Sequence, residues 1–225
     1  MNLGVHGTHK RVIATEIKKG KKVEKVKCYW GDVLLASEEE YLFMCWCRDA
    51  ALLGLIDETV QYQVAYELAD KITHSVKDPG PRSANRTKQR TLLGAHKYTL
   101  DMILNAKAIT DDKGNYIPKV NTLSSTDLVS KGAFYMDTNK LLLVDVKGGC
   151  GRNGKKSSDI TFPLNQKWLF DRYSLYCNKV NITKDRKKNF GFFGTYWAPA
   201  EAFVTAKGNA TIAYRKCKTI KDISI

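Results

Sequence analysis

The chain has no C-x-x-C pair among its six cysteines, no apolar run of membrane-spanning length, and only four histidines. Its longest unbroken apolar run, Tyr41 to Cys47, has seven residues, against the roughly 18 that a membrane helix needs. No membrane partner is therefore expected. The opening MNLGVHGTHKR has no hydrophobic h-region, so secretion is not expected either. The N-x-T sequons at Asn85, Asn181 and Asn209 then carry no weight, and the expected location is cytoplasmic (host-cell cytoplasm for a viral chain). Cys45 and Cys47 sit two apart in an apolar segment, a poor geometry for zinc. With Cys28, Cys150, Cys177 and Cys217 they are expected to be reduced thiols that mostly fill the core. His6, His9, His74 and His96 are scattered without ligand spacing. Internal repeats and low-complexity tracts are also missing.

What is present is 225 residues with 43% hydrophobic and 27% charged side chains, an ordinary globular composition with length for one sizeable core. Lys and Arg number 37 against 23 Asp and Glu, a net charge of +14. The charge is segregated. Residues 1–30 carry +6, 31–70 carry −8, 71–100 carry +6, 101–146 carry −1 and 147–225 carry +11. Basic blocks flanking an acidic one point to a polyanion, because each neutralised phosphate releases condensed counterions. Lys184, Arg186, Lys187 and Lys188 precede Phe190, Phe192, Phe193, Tyr196 and Trp197. Such aromatics can stack on bases, but FGFFGTYW reads more readily as core.

Ser37-Glu38-Glu39-Glu40 is an S-x-x-E capping box, which predicts a helix from 37 to about Leu53 with Gly54 as its stop. Beyond the first turn this helix is apolar nearly all round and should be buried. Lys25–Trp30 carries a weak strand signal. Val60 to Leu68 alternates, with Val60, Tyr62, Val64, Tyr66 and Leu68 expected on one face. Residues 77–96 read as a basic Pro/Gly/Ser-rich loop, and Tyr98–Asn105 as a strand. Ala133–Met136, a D-T-N-K turn and Leu141–Lys147 read as a hairpin. A helix is expected over 163–179, with Trp168, Leu169, Tyr173 and Leu175 apolar. Strands are expected near 190–197, 201–206 and 210–216.

The chemistry centres on LLLVDVKGG. Side chains two apart on a strand share a face, so Asp145 and Lys147 project together while Val144 and Val146 point away. A carboxylate and an ammonium ending an apolar strand suit metal-assisted hydrolysis, the carboxylate ligating Mg²⁺ and the lysine acting on the attacking water. Asp101 interrupts an apolar strand, where an unpartnered carboxylate would be costly. Glu40 lies in the first turn of the buried helix. Each has a plainer reading: Glu40 as a capping glutamate, Asp101 as a salt-bridge partner, Asp145 and Lys147 as a structural ion pair. Glu38 and Glu39 read as surface residues favoured by the helix N-terminus.

The order of S-x-x-E helix, Q-x-x-Y-x-L strand (Gln63, Tyr66, Leu68), Y-x-x-D strand and V-D-V-K-G strand resembles the PD-(D/E)xK nuclease superfamily. Within it the likeness is to small phage-type, junction-resolving and transposon-end endonucleases. It covers about residues 35–150. The resemblance implies catalytic Glu40, Asp101, Asp145 and Lys147, with Glu40, Asp101 and Asp145 holding Mg²⁺ (Mn²⁺ substituting) and Gln63 in support. Asp137 is the alternative first strand acid, at a spacing of eight from Asp145, but it lies in a turn that favours Asp for its own reasons. Asp101 is preferred.

The expected fold class is α/β, a mixed β-sheet flanked by helices with a restriction-endonuclease-like core. It comprises a basic segment 1–34, a core 35–180 with an insertion near 106–132, and a β-rich extension 181–225 packed on that core. The expected function is Mg²⁺-dependent DNA endonuclease. Its DNA contacts would come from Arg82, Arg86, Lys88, Arg90, Lys97, Arg152, Lys155, Lys156, Lys187 and Lys188. A homodimer is implied by the resemblance, and a targeting protein is left open. The alternative is a non-catalytic nucleic-acid-binding protein on the same scaffold, against which stands the filling of all four chemical positions.

Overall fold

The computed structural model describes residues 1–3, 8–18, 21–77, 87–106, 141–148, 157–182, 191–211 and 213–222. The chain runs β1 (His9–Lys18), β2 (Lys21–Trp30), β3 (Val33–Leu35), α1 (Glu38–Leu52), β4 (Ile56–Ala69), β5 (Ile72–Lys77), β6 (Thr87–Leu93), β7 (His96–Ala106), β8 (Leu141–Gly148), α2 (Ser157–Tyr173), β9 (Cys177–Ile182) and the short α3 (Phe192–Thr195). The fold is mixed α/β.

α1 forms where the capping box places it. Ser37 is the N-cap, and its Oγ accepts from the Glu40 backbone N–H at 3.1 Å. The helix ends at Gly54, whose φ of 72° any Cβ would resist, and Leu55 N–H returns to the Ala50 carbonyl at 2.9 Å. Ten of its residues are buried, from Glu40 through Cys47 together with Asp49 and Ala50.

The central sheet has the order β4-β7-β8-β9. β4, β7 and β8 pair antiparallel, and β9 lies parallel to β8. A parallel neighbour needs a crossover, and α2 lies in that connection. Two cores result. On one face Met102, Leu104, Leu142, Val144, Val146, Val180 and Ile182 meet α1. On the other, Leu100, Ile103, Leu143 and Cys177 meet Phe162 and Leu169 of α2. Phe192, Phe193, Tyr196, Trp197 and Tyr214 belong to the first core, with Trp46 ringed by Phe192, Tyr196 and Trp197. The aromatics of FGFFGTYW that are described are therefore core.

Several expectations need correction. The alternation of β4 changes face: Val60 and Tyr62 pack on the first core, Val64, Tyr66 and Leu68 on the second. The cause is Gln63, whose φ of 56° interrupts the pleat. Part of the expected basic loop is ordered strand, since β6 pairs with β5 from Lys77↔Thr87 to Ile72↔Leu93. β1 was not foreseen, and β2 is longer than its signal. The later helix spans 157–173, because Ser174 takes a φ of 56° and ends it. Residues 177–182 instead pair with β8. Of its expected apolar positions Leu169 is buried, whereas Trp168 and Tyr173 are exposed. Among the described residues, the three expected C-terminal strands are replaced by α3, a 3₁₀ turn at Ala200–Phe203 and the isolated bridges Ile182↔Gly191 and Val204↔Ala210. Glycine 191, at φ 56°, turns the chain there, and burial of the aromatics is achieved without a ladder. The expected insertion and the first arm of the hairpin, 107–140, lie outside the described residues.

Candidate active site

β7 and β8 bring Asp101 and Asp145 together. Met102 pairs with Val144, and the Val146 backbone N–H donates to Asp101 Oδ2 at 2.7 Å. The Asp145 carboxyl stands near enough for its charge to act on Asp101. Burial, then the Asp145 charge, then that of Glu40 push the Asp101 carboxyl up to about 8. This is the behaviour of like charges crowded in a low-dielectric place. Among the described residues, no ion pair to Asp101 is present. Its side-chain partner from β4 is Gln63, whose Nε2 donates to Oδ1 at 3.3 Å. A left-handed backbone at a residue other than glycine persists only where the surroundings enforce it.

Asp145 is 2% exposed. Tyr98 Oη donates to its Oδ2 at 2.5 Å. Oδ1 accepts no hydrogen bond and faces the Lys147 ammonium as an ion pair. Val144 and Val146 point into the opposite core, as the strand period requires. Burial, followed by Cys177 and Asp145, raises the Tyr98 phenol far above its ordinary value, so it stays a donor. The Cys177 thiol beside it is likewise held protonated, first by burial.

Glu40 approaches from the N-terminus of α1. Its Oε1 accepts from Ser37 Oγ at 3.1 Å. Its Oε2 accepts from Tyr62 Oη at 2.7 Å and from the Ala36 N–H at 3.3 Å. The capping role is therefore real, and the same carboxylate lies close enough to influence Asp101. Glu39, expected on the surface, is half-buried, and its Oε1 lies 2.8 Å from where a Cβ on Gly148 would stand. Any side chain at Gly148 would displace it. Glu39, Tyr62 and Tyr98 were not legible as site residues, since nothing in their spacing distinguishes them from cap and core positions.

Glu40, Asp101, Asp145 and Lys147 thus converge from α1, β7 and β8. The carboxylate donors are oxygens, the kind that suit a hard divalent cation such as Mg²⁺, and the buried Oδ1 of Asp145 is met by the Lys147 ammonium. The three acids are not drawn together to ligand spacing. Among the described residues the set whose ligand atoms all lie within 4.8 Å is His9, Cys45 and Glu201. That set is already neutralised: Arg48 Nη1 lies 2.8 Å from Glu201 Oε1 and 3.1 Å from His9 Nε2, and Arg48 Nη2 donates to Asp49 at 2.8 Å. Burial opposes the charge on Glu201, but hydrogen bonds from His9 and Arg48 outweigh it and hold the carboxyl well below its usual range. This network ties β1, α1 and the 3₁₀ turn.

Of the expected DNA contacts, Lys88 and Arg90 lie on β6, every residue of which is exposed, and Lys97 lies exposed at the start of β7. Arg82, Arg86, Arg152, Lys155, Lys156, Lys187 and Lys188 lie outside the described residues. β5 and β6 follow β4 and precede β7 with two residues between each pair, so they continue the β4–β7 pairing as a two-stranded arm.

The fold and the site define a mixed α/β protein with a buried carboxylate cluster and an adjoining lysine at the centre of one sheet. No family model, no curated protein and no solved structure matches the chain. No helix among the described residues is long and apolar enough to cross a membrane.

Proposed function

We propose that the protein is a metal-dependent DNA endonuclease of the PD-(D/E)xK type. The observation that carries this reading is the convergence of Glu40, Asp101, Asp145 and Lys147, which sequence distance alone would leave apart. The mixed sheet between two helical layers, with the D-x-K strand inside it, is compatible with a restriction-endonuclease-like core. Asp101 and Asp145, with Glu40, would hold Mg²⁺, or Mn²⁺ in its place. The ion would supply Lewis-acid stabilisation of the phosphoryl oxygens.

Lys147 positions the water for in-line attack on the phosphorus and offsets the charge that builds on the phosphoryl oxygens. The P–O3′ bond breaks, leaving a 5′-phosphate by resemblance to the family. Tyr98 orients Asp145 and Gln63 orients Asp101, each by donating a hydrogen bond to the carboxyl group. The +14 charge draws the polyanionic substrate. A homodimer cutting both strands, and a phage or mobile-element role on branched DNA, belong to the same proposal.

One observation favours the non-catalytic alternative: Asp145 is already engaged by Lys147 and Tyr98, as in a structural ion pair. Incubation of linear duplex, single strand, four-way junction and supercoiled plasmid with Mg²⁺, Mn²⁺ or EDTA separates the two. Metal-dependent cutting of any member supports the nuclease. Binding to all four with no cutting under either metal contradicts it.

A further inference from the structure

We infer that a groove between the β2–β3 hairpin and β4 holds the nucleotide chain beside the candidate active site, with Lys25 and Lys27 neutralising its phosphates. The inference rests on the nuclease reading for its substrate, and neither lysine figures among the DNA contacts expected from the sequence.

The groove encloses about 430 Å³ and is lined by Lys25, Lys27, Leu34, Ser37, Tyr62 and Gln63 among others. That volume lies within the roughly 300–1,000 Å³ of ordinary ligand pockets. Three of those residues bond directly to the candidate acids. Ser37 and Tyr62 donate to Glu40, and Gln63 donates to Asp101. The groove therefore adjoins the carboxylate cluster, separated from Glu40 and Asp101 by the side chains that bond to them.

Its outer wall has the opposite sign. Lys25 and Lys27 share one face of β2, about 6.7 Å apart along the strand, and Lys10 stands on the same face of β1 through the register Lys10↔Tyr29, Val12↔Lys27 and Ala14↔Lys25. The acid on that face is Glu16, whose Oε1 lies 3.8 Å from Lys27 Nζ, an ion pair in which both side chains are about one-third exposed. Such a pair contributes little and leaves the ammonium free to shift to a phosphate. Leu34, half exposed, offers an apolar surface for a sugar or base.

Cations at the outer edge and carboxylates at the inner end suit a chain of phosphodiesters better than a neutral ligand. Two lysines on one strand suit successive phosphates. The occupant is one strand of DNA flanking the scissile bond.

The test is oligonucleotide binding in EDTA, where nothing is cut, followed by anisotropy of a labelled duplex and a labelled single strand across a salt series. Lys25→Ala/Lys27→Ala is compared with Lys216→Ala/Lys218→Ala, which removes the same charge from exposed C-terminal positions. Two lost phosphate contacts should flatten the log–log salt slope by about 1.8 for duplex or about 1.4 for single strand, and weaken binding about tenfold. Lys25→Arg/Lys27→Arg should restore both, and unchanged melting of each variant shows that the fold is kept. An unaltered slope in the groove variant, or an equal loss in the C-terminal control, overturns the groove. Its failure is distinct from failure of the nuclease. Loss of slope without metal-dependent cutting of the panel leaves the groove and removes the enzyme; cutting with an unaltered slope does the reverse.

Discussion

Asp101 on β7 is tied to the strand that carries Asp145, because the N–H of Val146 donates to Asp101 Oδ2 at 2.7 Å. The backbone pairing Met102↔Val144 sets the two acids on neighbouring strands. Two acids fixed in this way repel each other when both are ionised.

Substitution separates the two candidates for the first strand acid. Asp101→Asn should lower cleavage on the order of 10²–10³-fold, the scale on which a charge-stabilising group acts. Asp137→Asn should leave it near wild type. Single-turnover rates with saturating Mg²⁺ measure both, and a large loss confined to Asp137→Asn would move the assignment to the turn.

Tyr98 makes a different prediction. Tyr98→Phe removes the donor to Asp145 Oδ2 and leaves a buried carboxylate oxygen short of a partner. Stability should fall by about 1–3 kcal/mol in denaturant titration without metal, and saturating Mg²⁺ should recover part of the loss. An unchanged midpoint would show that the phenol contributes nothing to the site.

Glu40 serves both the helix cap and the cluster, and substitution separates the two. Ser37→Ala should cost about 1 kcal/mol of stability with turnover nearly kept. Glu40→Gln retains hydrogen-bonding capacity at the cap and should mainly lower turnover. If the two variants lose stability and turnover in the same proportion, Glu40 is a capping residue and no more.

The Arg48–Glu201–His9 network sets a pH dependence. Glu201 is held below its unfolded value, so it contributes stability above about pH 4.5, and that contribution is lost as pH falls through the folded value. Glu201→Gln should be less stable by about 2 kcal/mol near neutrality. The gap in melting temperature should close in acid. A gap independent of pH would mean that the carboxylate charge is irrelevant there.

Local signals account for what was legible. α1 was readable because Ser37, Glu40 and Gly54 mark both ends, and the Asp145/Lys147 face because a strand has a strict period of two. The face change of β4 was not, since it turns on the backbone of Gln63, a residue type with no preference for positive φ. The helix boundary at Ser174 failed for the same reason. FGFFGTYW reads as core, but its shape does not follow from that, because burying Phe192, Phe193, Tyr196 and Trp197 does not require a strand. The β5–β6 arm was hidden by its polarity: its alternation separates His74 and Arg90 from Thr73 and Thr91, with no apolar face to reveal it. Tyr98 and Glu39 depend on contacts between distant segments, which no local pattern announces.

The account stands most directly on Asp145. Cleavage of the best substrate should be measured for wild type and for Asp145→Ala under Mg²⁺, with binding of the same substrate in EDTA alongside. Cutting should disappear in the variant while its affinity stays within about twofold of wild type, since a phosphodiester is gripped mainly by lysine and arginine. Cutting at the wild-type rate by Asp145→Ala would contradict the assignment of this cluster as the active site.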